Sequence, residues 1–340
     1  MTRPIQSIAL PDGFLDRIVA DVADFNRRVH RKPLPAIRAN FERTQYGAFD
    51  MVAPFALKFT RPAILEIGSG YGFGLCYLLK SGLDAYGIEP GNTESFVGRH
   101  VFASQLLRHN SIDPTDRIIA ASGEALPFPD NHFDIVFSIA VLEHVKDLDR
   151  VMAEALRVCK PSGCVVMNVP NYNSFYEGHY NIPWIPYVMR RKTCAARYVR
   201  DIWRRDSYYI DELHFTVPGD FRRNKPWFAL AQEVTIFPFL FRPLLYVSAL
   251  AYFLGINSYD RHPLLKCFSP KGGLRLLCGP VLLLTRLFTI AAAQVGLAPV
   301  FNVVAYKYAT AAGRTGSAAA IDQKIQQAES ALSPGRLSLK

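Results

Sequence analysis

The feature that most constrains the fold is a short apolar segment that runs directly into a glycine-rich loop. Residues 63–67 read Ala-Ile-Leu-Glu-Ile and predict a buried strand, and Gly68, Gly70 and Gly72 follow at alternate positions. Residues 75–80 then predict a helix. Glycines are needed where a backbone turns tightly and a ligand approaches it closely. The segment therefore predicts a strand–loop–helix unit of an α/β fold, with a ligand site at the loop.

The alternation of strands and helices continues beyond this loop. Strands that alternate with helices favour a parallel sheet covered on both faces. We therefore expect an α/β fold with a Rossmann-like, doubly wound, mostly parallel seven-stranded sheet. The remaining predicted strands are 85–89, 117–120, 133–139, 163–169, 232–237 and 301–306, and helices are predicted over 99–110 and 148–159.

The segments outside this alternation indicate the domain organisation. Apolar residues recur at three- and four-residue spacing near the N-terminus, which predicts amphipathic helices there. The C-terminal tail is rich in Ala, Ser and Gly and is expected to be disordered. We expect an N-terminal helical cap (1–60), a core (61–237) with a substrate loop and basic helix (171–206), an apolar helical insertion (238–299), a final core strand (300–308) and the tail (309–340).

The glycine loop is compatible with two classes of cofactor, and a carboxylate distinguishes them. Dinucleotide sites use Gly-x-Gly-x-x-Gly after an apolar strand end, whereas Phe73 occupies the last position of that pattern here. Glu66 also stands at the strand end, where a negative charge is unfavourable beside a pyrophosphate. It suits a ligand that has a cationic amine and no phosphate, such as S-adenosylmethionine. An NAD-dependent oxidoreductase with a degenerate fingerprint is the alternative.

Two more acidic residues follow later strands. Glu89 ends the second strand, where a carboxylate accepts hydrogen bonds from both ribose hydroxyls. Glu124 lies in Ala-Ser-Gly-Glu-Ala-Leu-Pro-Phe-Pro-Asp, residues 121–130, after the third strand. In their order and spacing the three segments resemble class I S-adenosylmethionine-dependent methyltransferases, of the small-molecule or lipid type with a methyltransferase type 11-like domain. The resemblance covers residues 63–169.

The resemblance implies S-adenosyl-L-methionine as the cofactor and assigns residues to it. Glu124 would accept a hydrogen bond from the adenine amino group, and the backbone N–H of Ala125 would reach the adenine ring. The cofactor-binding residues expected from the loop and the resemblance are Glu66, Gly68, Ser69, Gly70, Gly72, Glu89, Glu124, Ala125 and Ser138.

Candidate residues for the acceptor side follow the fourth and fifth strands. Methyl transfer requires alignment of a nucleophile with the methyl group, and in many cases removal of its proton. His144, in a Leu-Glu-His segment that resembles the family's, is the candidate general base, since an unperturbed histidine has a pKa of about 6.5. The alternative is a histidine that only packs against the cofactor loop. His179, Tyr180 and Trp184 are candidate substrate residues, because aromatic rings stack on sugars and other rings; the alternative is a packed aromatic lid.

Charge and hydropathy suggest the kind of acceptor. The formal net charge is +10, and seven Arg or Lys fall within 188–206, where we predict a basic amphipathic helix. Residues 240–299 are strongly apolar, which favours helices that lie on a membrane or cap an apolar pocket. A buried helical subdomain or a dimer interface is the alternative. We expect O-methylation of a saccharide or a lipid-linked precursor. A quinone- or sterol-like lipid and a non-catalytic, membrane-associated relative are the alternatives.

Other sequence features limit the partners and the location. None of the six cysteines forms a Cys-x-x-Cys pair, so no metal site is expected. The N-terminal residues contain no long apolar run, and we expect a cytoplasmic protein with peripheral membrane contact rather than a secreted one. The Asn/Asp-Pro-Pro-Tyr/Phe signature of enzymes that methylate nucleobase amino groups is absent, so nucleic acid is not the expected partner. The oligomeric state stays open.

Overall fold

Seven strands form one sheet at the centre of the fold. The computed structural model describes residues 7–32, 34–93, 96–221, 225–238, 297 and 300–307. The strands of the sheet are β1 (Ala63–Ile67), β2 (Asp84–Ile88), β5 (Ile118–Ile119), β6 (Phe133–Ile139), β7 (Cys159–Pro170), β10 (Ala231–Pro238) and β11 (Val300–Lys307). Their order is β10-β11-β7-β6-β1-β2-β5, and β11 is the one strand of this sheet that runs antiparallel to the others. This confirms the predicted Rossmann-like, mostly parallel sheet.

The helices cover both faces of this sheet. The helices are α1 (Phe14–Asp21), α2 (Ala23–Phe25), α3 (Leu34–Ala56), α4 (Phe73–Lys80), α5 (Arg99–His109), α6 (Leu148–Val158), α7 (Lys192–Arg197) and α8 (Tyr208–Glu212). Successive side chains of a strand point to opposite faces, and accordingly Ile64 of β1 packs with α1, α3, α4 and α5, whereas Leu65 packs with α6.

Two small hairpins and several short turns complete the described residues. The hairpins are β3 (Asn92–Thr93) with β4 (Phe96–Val97), and β8 (Tyr176–Glu177) with β9 (Ile182–Pro183). The predicted loop at 171–187 thus contains a hairpin. The 3₁₀ turns are Val188–Arg190, Pro218–Phe221 and Pro226–Leu230, and the π turns are Asn26–His30 and Tyr198–Ile202.

The prediction of one continuous basic helix over 188–206 is wrong. Only α7 is regular, and it lies between a 3₁₀ turn and a π turn. Among the apolar residues of this segment, Ala195 and Val199 are buried, but Ile202 is 67% exposed. A positive φ of 52° at Arg204 ends the helical winding. Arg205 then turns inward and donates a hydrogen bond to the carbonyl of Val29 at 2.9 Å, a tertiary contact that a local pattern does not reveal.

Two predicted regions fall largely or wholly outside the described residues. They are the apolar insertion at 238–299, of which 238 and 297 are described, and the tail at 309–340. Among the residues that are described, no helix is long and apolar enough to cross a membrane.

Candidate active site

The glycine loop after β1 is shaped by close contacts on one side and open space on the other. The N–H groups of Gly68 and Ser69 both donate to the carbonyl of Ile88 at 2.9 Å. Gly68 has a φ of 74°, and a Cβ there would lie 2.5 Å from Cγ2 of Val141. Gly70 also has a positive φ, of 54°, but a Cβ there would meet nothing within 4 Å. The loop therefore leaves room for a ligand above Gly70.

Glu66 presents a buried carboxylate to this space. The residue is 7% exposed and lines the cavity beside the loop. Its Oε2 atom has no hydrogen-bond partner among the described residues. Burial raises the pKa of Glu66 to about 8. A buried acceptor without a partner is costly, so this site fits the cationic ammonium group at the methionyl end of S-adenosylmethionine.

Glu89 lies on the other side of the loop, at the end of β2. Its Oε2 accepts a hydrogen bond from the N–H of Gly70 at 2.8 Å, which ties the strand end to the loop. Burial raises the pKa of Glu89, while the charge of Arg99 and the bond from Gly70 act against that rise. Glu89 and Arg99 both line the cavity. The carboxylate is thus placed to accept from the hydroxyls of a ribose.

In the third predicted segment, hydrogen bonds within the protein hold the carboxylate of Glu124 in place. The carboxylate of Glu124 accepts from the N–H of Lys146 at 2.9 Å and from the hydroxyl of Ser122. The N–H of Ala125 donates to the carbonyl of Ser122 at 3.2 Å.

Ser138 is fully buried, with its Oγ 3.0 Å from Sδ of Met167. Of the predicted cofactor residues, the cavity is lined by Glu66, Gly68, Ser69, Gly70, Glu89 and Glu124, and is not lined by Gly72, Ala125 or Ser138.

One cavity joins the glycine loop to the predicted acceptor side. Its volume is about 940 Å³, at the upper end of the roughly 300–1,000 Å³ usual for ligand sites. Both His144 and His179 line it. The N-terminal helices supply an apolar wall through Val22, Phe25, Ile37 and Phe41. The cavity therefore brings the cofactor residues, two histidines and an apolar surface together.

The two histidines form a cluster with carboxylates. The Nε2 atoms of His144 and His179 are 3.3 Å apart, and Oε1 of Glu143 is 3.7 Å from the first and 4.0 Å from the second. Nδ1 of His179 is 2.8 Å from Oε1 of Glu177. On the other side, the hydroxyl of Tyr209 is 3.4 Å from Nδ1 of His144.

Burial and charge set the ionisation of this cluster. Burial, reinforced by the neighbouring His179, lowers the pKa of His144 well below 6.5. Burial also lowers the pKa of His179, but the charge and hydrogen bond of Glu177 outweigh it and the net shift is upward. Burial raises the pKa of Glu143 to about 7. His144 is therefore neutral at neutral pH, the state in which an imidazole accepts a proton or binds a metal ion.

Tyr180 and Trp184 lie away from the cavity, unlike His179. Both are buried in a cluster with Tyr209 and Val199. The hydroxyl of Tyr180 donates to the carbonyl of Asp206 at 2.9 Å, and Nε1 of Trp184 donates to the carbonyl of Tyr172 at 3.2 Å. These polar groups form hydrogen bonds within the protein, and neither residue lines the cavity. The structure thus separates the predicted substrate residues, because His179 lines the cavity whereas the rings of Tyr180 and Trp184 are packed in a buried cluster.

Sequence reasoning missed several residues of the site. Glu143 precedes the predicted base directly, and Glu177 stands two residues before His179; such proximity to a histidine was an available signal. Arg99 and Tyr209 carried no local signal, because their position in the cavity wall depends on how α5 and α8 pack.

Comparisons with known proteins agree with this geometry. Residues 65–167 match the model of a family described as a methyltransferase domain. An uncharacterized methyltransferase of Mycobacterium sp. (strain KMS) is 33% identical over 137 residues, which are 40% of this chain and 49% of that protein. The chain thus spans about half the length of this relative. A sterol 4-C-methyltransferase of Caenorhabditis elegans is 29% identical over 120 residues, 34% of each chain.

Among solved structures, one that matches this chain is a putative sarcosine dimethylglycine methyltransferase from Galdieria sulphuraria. It is 13% identical, covers 88% of this chain and 99% of that chain, and has a TM-score of 0.47.

Proposed function

Because residues 65–167 form a class I S-adenosylmethionine-dependent methyltransferase domain, as the sequence predicts, we propose that the whole chain methylates a hydroxyl oxygen of a lipid or a lipid-linked saccharide. The observation that carries the proposal is the shared cavity, which connects Glu66 and Glu89 with His144 along an apolar wall. When bound, S-adenosylmethionine supplies an electrophilic methyl group. The protein has to hold the acceptor oxygen in line with it.

In this proposal one set of residues binds S-adenosylmethionine and another set binds the acceptor. Glu66 holds the methionyl ammonium group, Glu89 the ribose hydroxyls and Glu124 the adenine end. His144 and His179 meet the reacting hydroxyl of the acceptor, and neutral His144 takes up its proton. The apolar wall from the N-terminal helices holds a hydrocarbon part of the acceptor, where burial of apolar surface contributes about 25 cal/mol per Å².

A quinone- or sterol-like lipid is the second candidate acceptor. The similarity to a sterol 4-C-methyltransferase favours it, as does the apolar wall. The two candidates differ in whether the acceptor carries a saccharide beside its lipid part.

Transfer of a labelled methyl group to extracts tests the proposed function. With methyl-labelled S-adenosylmethionine and separate lipid and aqueous extracts of the source organism, we expect label in the lipid fraction, as an ether that survives mild alkali. Substitution of His144→Asn should lower turnover by about 10²- to 10⁴-fold, the usual contribution of a general base. Affinity for S-adenosylhomocysteine should stay within about threefold, because the ring lies at the acceptor side. Label only in the aqueous fraction, or unchanged turnover in the variant, would contradict the proposal.

A basic and apolar surface segment supports peripheral membrane contact. Ile185, Tyr187, Val188 and Ile202 are exposed large apolar residues. Within the same stretch the basic side chains are also exposed, and anionic lipid surfaces attract such side chains by about 1 kcal/mol each. We therefore propose that residues 185–204 contact an anionic membrane, where a lipid acceptor resides. The exposed basic residues are Arg190, Arg191, Lys192, Arg197, Arg200 and Arg204.

Flotation with vesicles measures this contact. The double substitution Arg190→Ser with Arg191→Ser should lower the partition coefficient on phosphatidylglycerol vesicles by about 30-fold, that is, about 2 kcal/mol. The charge-matched control, Arg61→Ser with Arg108→Ser, should retain most of the binding. Equal losses in both double variants would mean that vesicle binding depends on the net charge of the protein and not on residues 185–204. Absence of flotation at low salt would contradict the membrane proposal.

A further inference from the structure

A cluster of three potential metal ligands lies at the acceptor end of the cavity. Nε2 of His144, Nε2 of His179 and Oε1 of Glu143 lie 3.3–4.0 Å from one another. Ligand atoms that surround one Zn²⁺ ion tetrahedrally at bonds of about 2.0–2.1 Å lie about 3.4 Å apart. Small movements of the side chains would therefore place all three atoms around a single ion. The described residues contain no second such cluster.

His179 is oriented as metal-binding histidines usually are. Its Nδ1 atom is 2.8 Å from a carboxylate oxygen of Glu177, and Glu177 is only 2% exposed. A carboxylate at Nδ1 fixes the proton there and leaves Nε2 with its lone pair directed away. In this structure Nε2 points to His144 and Glu143. The arrangement matches the carboxylate–histidine–metal pattern of known sites.

Glu143 adds an independent observation. The residue is 1% exposed, and its Oε2 atom has no hydrogen-bond partner among the described residues. A buried carboxylate is unfavourable unless a charge or hydrogen-bond donors compensate it. A cation between Glu143 and the two imidazoles would supply that charge.

We propose that Glu143, His144 and His179 bind a divalent first-row transition-metal ion of the Zn²⁺ type. Two imidazoles and one carboxylate form a donor set that such ions accept, and three protein ligands leave a coordination position open. His144 and His179 line the cavity, so the open position faces the acceptor. The cysteine pattern, on which the expectation of no metal rests, carries no information about this site.

The role of the ion rests on the proposed function. An acceptor hydroxyl bound at the open position would lose its proton more readily, as Zn²⁺-bound water does with a pKa near 7. In the loaded protein His144 would be a ligand and would not accept the proton; the ion would lower the pKa of the bound hydroxyl, and the proton would pass to water.

Titration calorimetry with Zn²⁺, and the absorption of bound Co²⁺, test the site in the full chain after chelator treatment. We expect one ion per chain, with at least 100-fold weaker binding in Glu143→Gln and His179→Ala. Substitution of Glu177→Gln should weaken binding about 10- to 100-fold, the usual effect of losing the carboxylate behind a ligand histidine. His132→Ala removes a histidine outside the cluster and should leave binding unchanged.

Further readouts separate loss of the site from loss of the fold. Glu143→Gln keeps the shape of the side chain, so its metal-free melting temperature should not fall, whereas the rise caused by Zn²⁺ should disappear. S-adenosylhomocysteine should still bind. Absence of a stoichiometric ion, or unchanged affinity in Glu143→Gln, would overturn the metal site. Intact ion binding without methyl transfer to any extract would overturn the proposed function instead.

Discussion

The affinity of the protein for S-adenosylhomocysteine is expected to rise about 50-fold between pH 6 and pH 8. The reason is Glu66, whose pKa burial raises to about 8. Below that pH the free protein holds this group protonated and neutral. The ammonium group of the ligand favours the carboxylate, so binding has to release the proton. The apparent affinity then falls by about tenfold for each pH unit well below the pKa.

Titration calorimetry across this pH range measures the effect, and the number of protons released follows from buffers of different ionisation enthalpy. Substitution of Glu66→Gln should remove the pH dependence and weaken binding at pH 8 by about 10- to 100-fold, since a hydrogen bond to a charged group contributes about 1.5–3 kcal/mol. The affinities of the native protein and of the Glu66→Gln variant should become equal near pH 6, where the carboxyl group of Glu66 is already protonated and neutral.

Glu212→Gln is the matched control for this titration. Glu212 also lines the cavity, but it lies on α8 and not in the strand–loop segment that contains Glu66. The variant should keep the full dependence on pH. If Glu66→Gln kept it as well, the titrating group would lie elsewhere, and the assignment of Glu66 to the ammonium group would be wrong.

Sequence reasoning succeeded where the determining contacts are local. The predicted bounds of β1 and β6 coincide with the observed Ala63–Ile67 and Phe133–Ile139, because both strands are apolar runs with clear turns at their ends. Glu66 and Glu89 could be proposed for the cofactor because each stands at the end of a predicted strand. A residue at the carboxyl end of a parallel strand has its position set by the fold class.

The same reasoning failed where distant segments meet. His144 and His179 are separated by 35 positions, yet their Nε2 atoms are 3.3 Å apart. That contact requires the β8–β9 hairpin, which contains His179, to pack beside the segment that follows β6. Trp184 illustrates the converse, since an aromatic residue in a predicted loop proved to be buried through packing with Tyr172 and Tyr198. Aromatic composition alone does not distinguish a ligand surface from a small core.

Two glycines with nearly the same backbone conformation are expected to differ strongly in their effect on stability. Gly72 and Gly82 have φ values of 80° and 78°, so replacing either by alanine costs about 1–2 kcal/mol of left-handed strain. At Gly72 a Cβ would also lie 2.8 Å from Cβ and 2.9 Å from Cα of Ala103, whereas at Gly82 it would meet nothing within 4 Å. Ala103 is fully buried on α5, so the helix backbone would have to move.

Overpacking of this kind costs about 1–3 kcal/mol beyond the strain. We therefore expect Gly72→Ala to lower the free energy of unfolding by about 2–5 kcal/mol and Gly82→Ala by about 1–2 kcal/mol. Urea unfolding followed by circular dichroism measures both, and Gly82→Ala controls for the conformational part because the two φ values agree. Equal losses would show that α5 does not approach the loop as closely as the distances indicate. A larger loss at Gly72 would mean that this glycine is required for helix packing, which accounts for its place in the motif although it does not line the cavity.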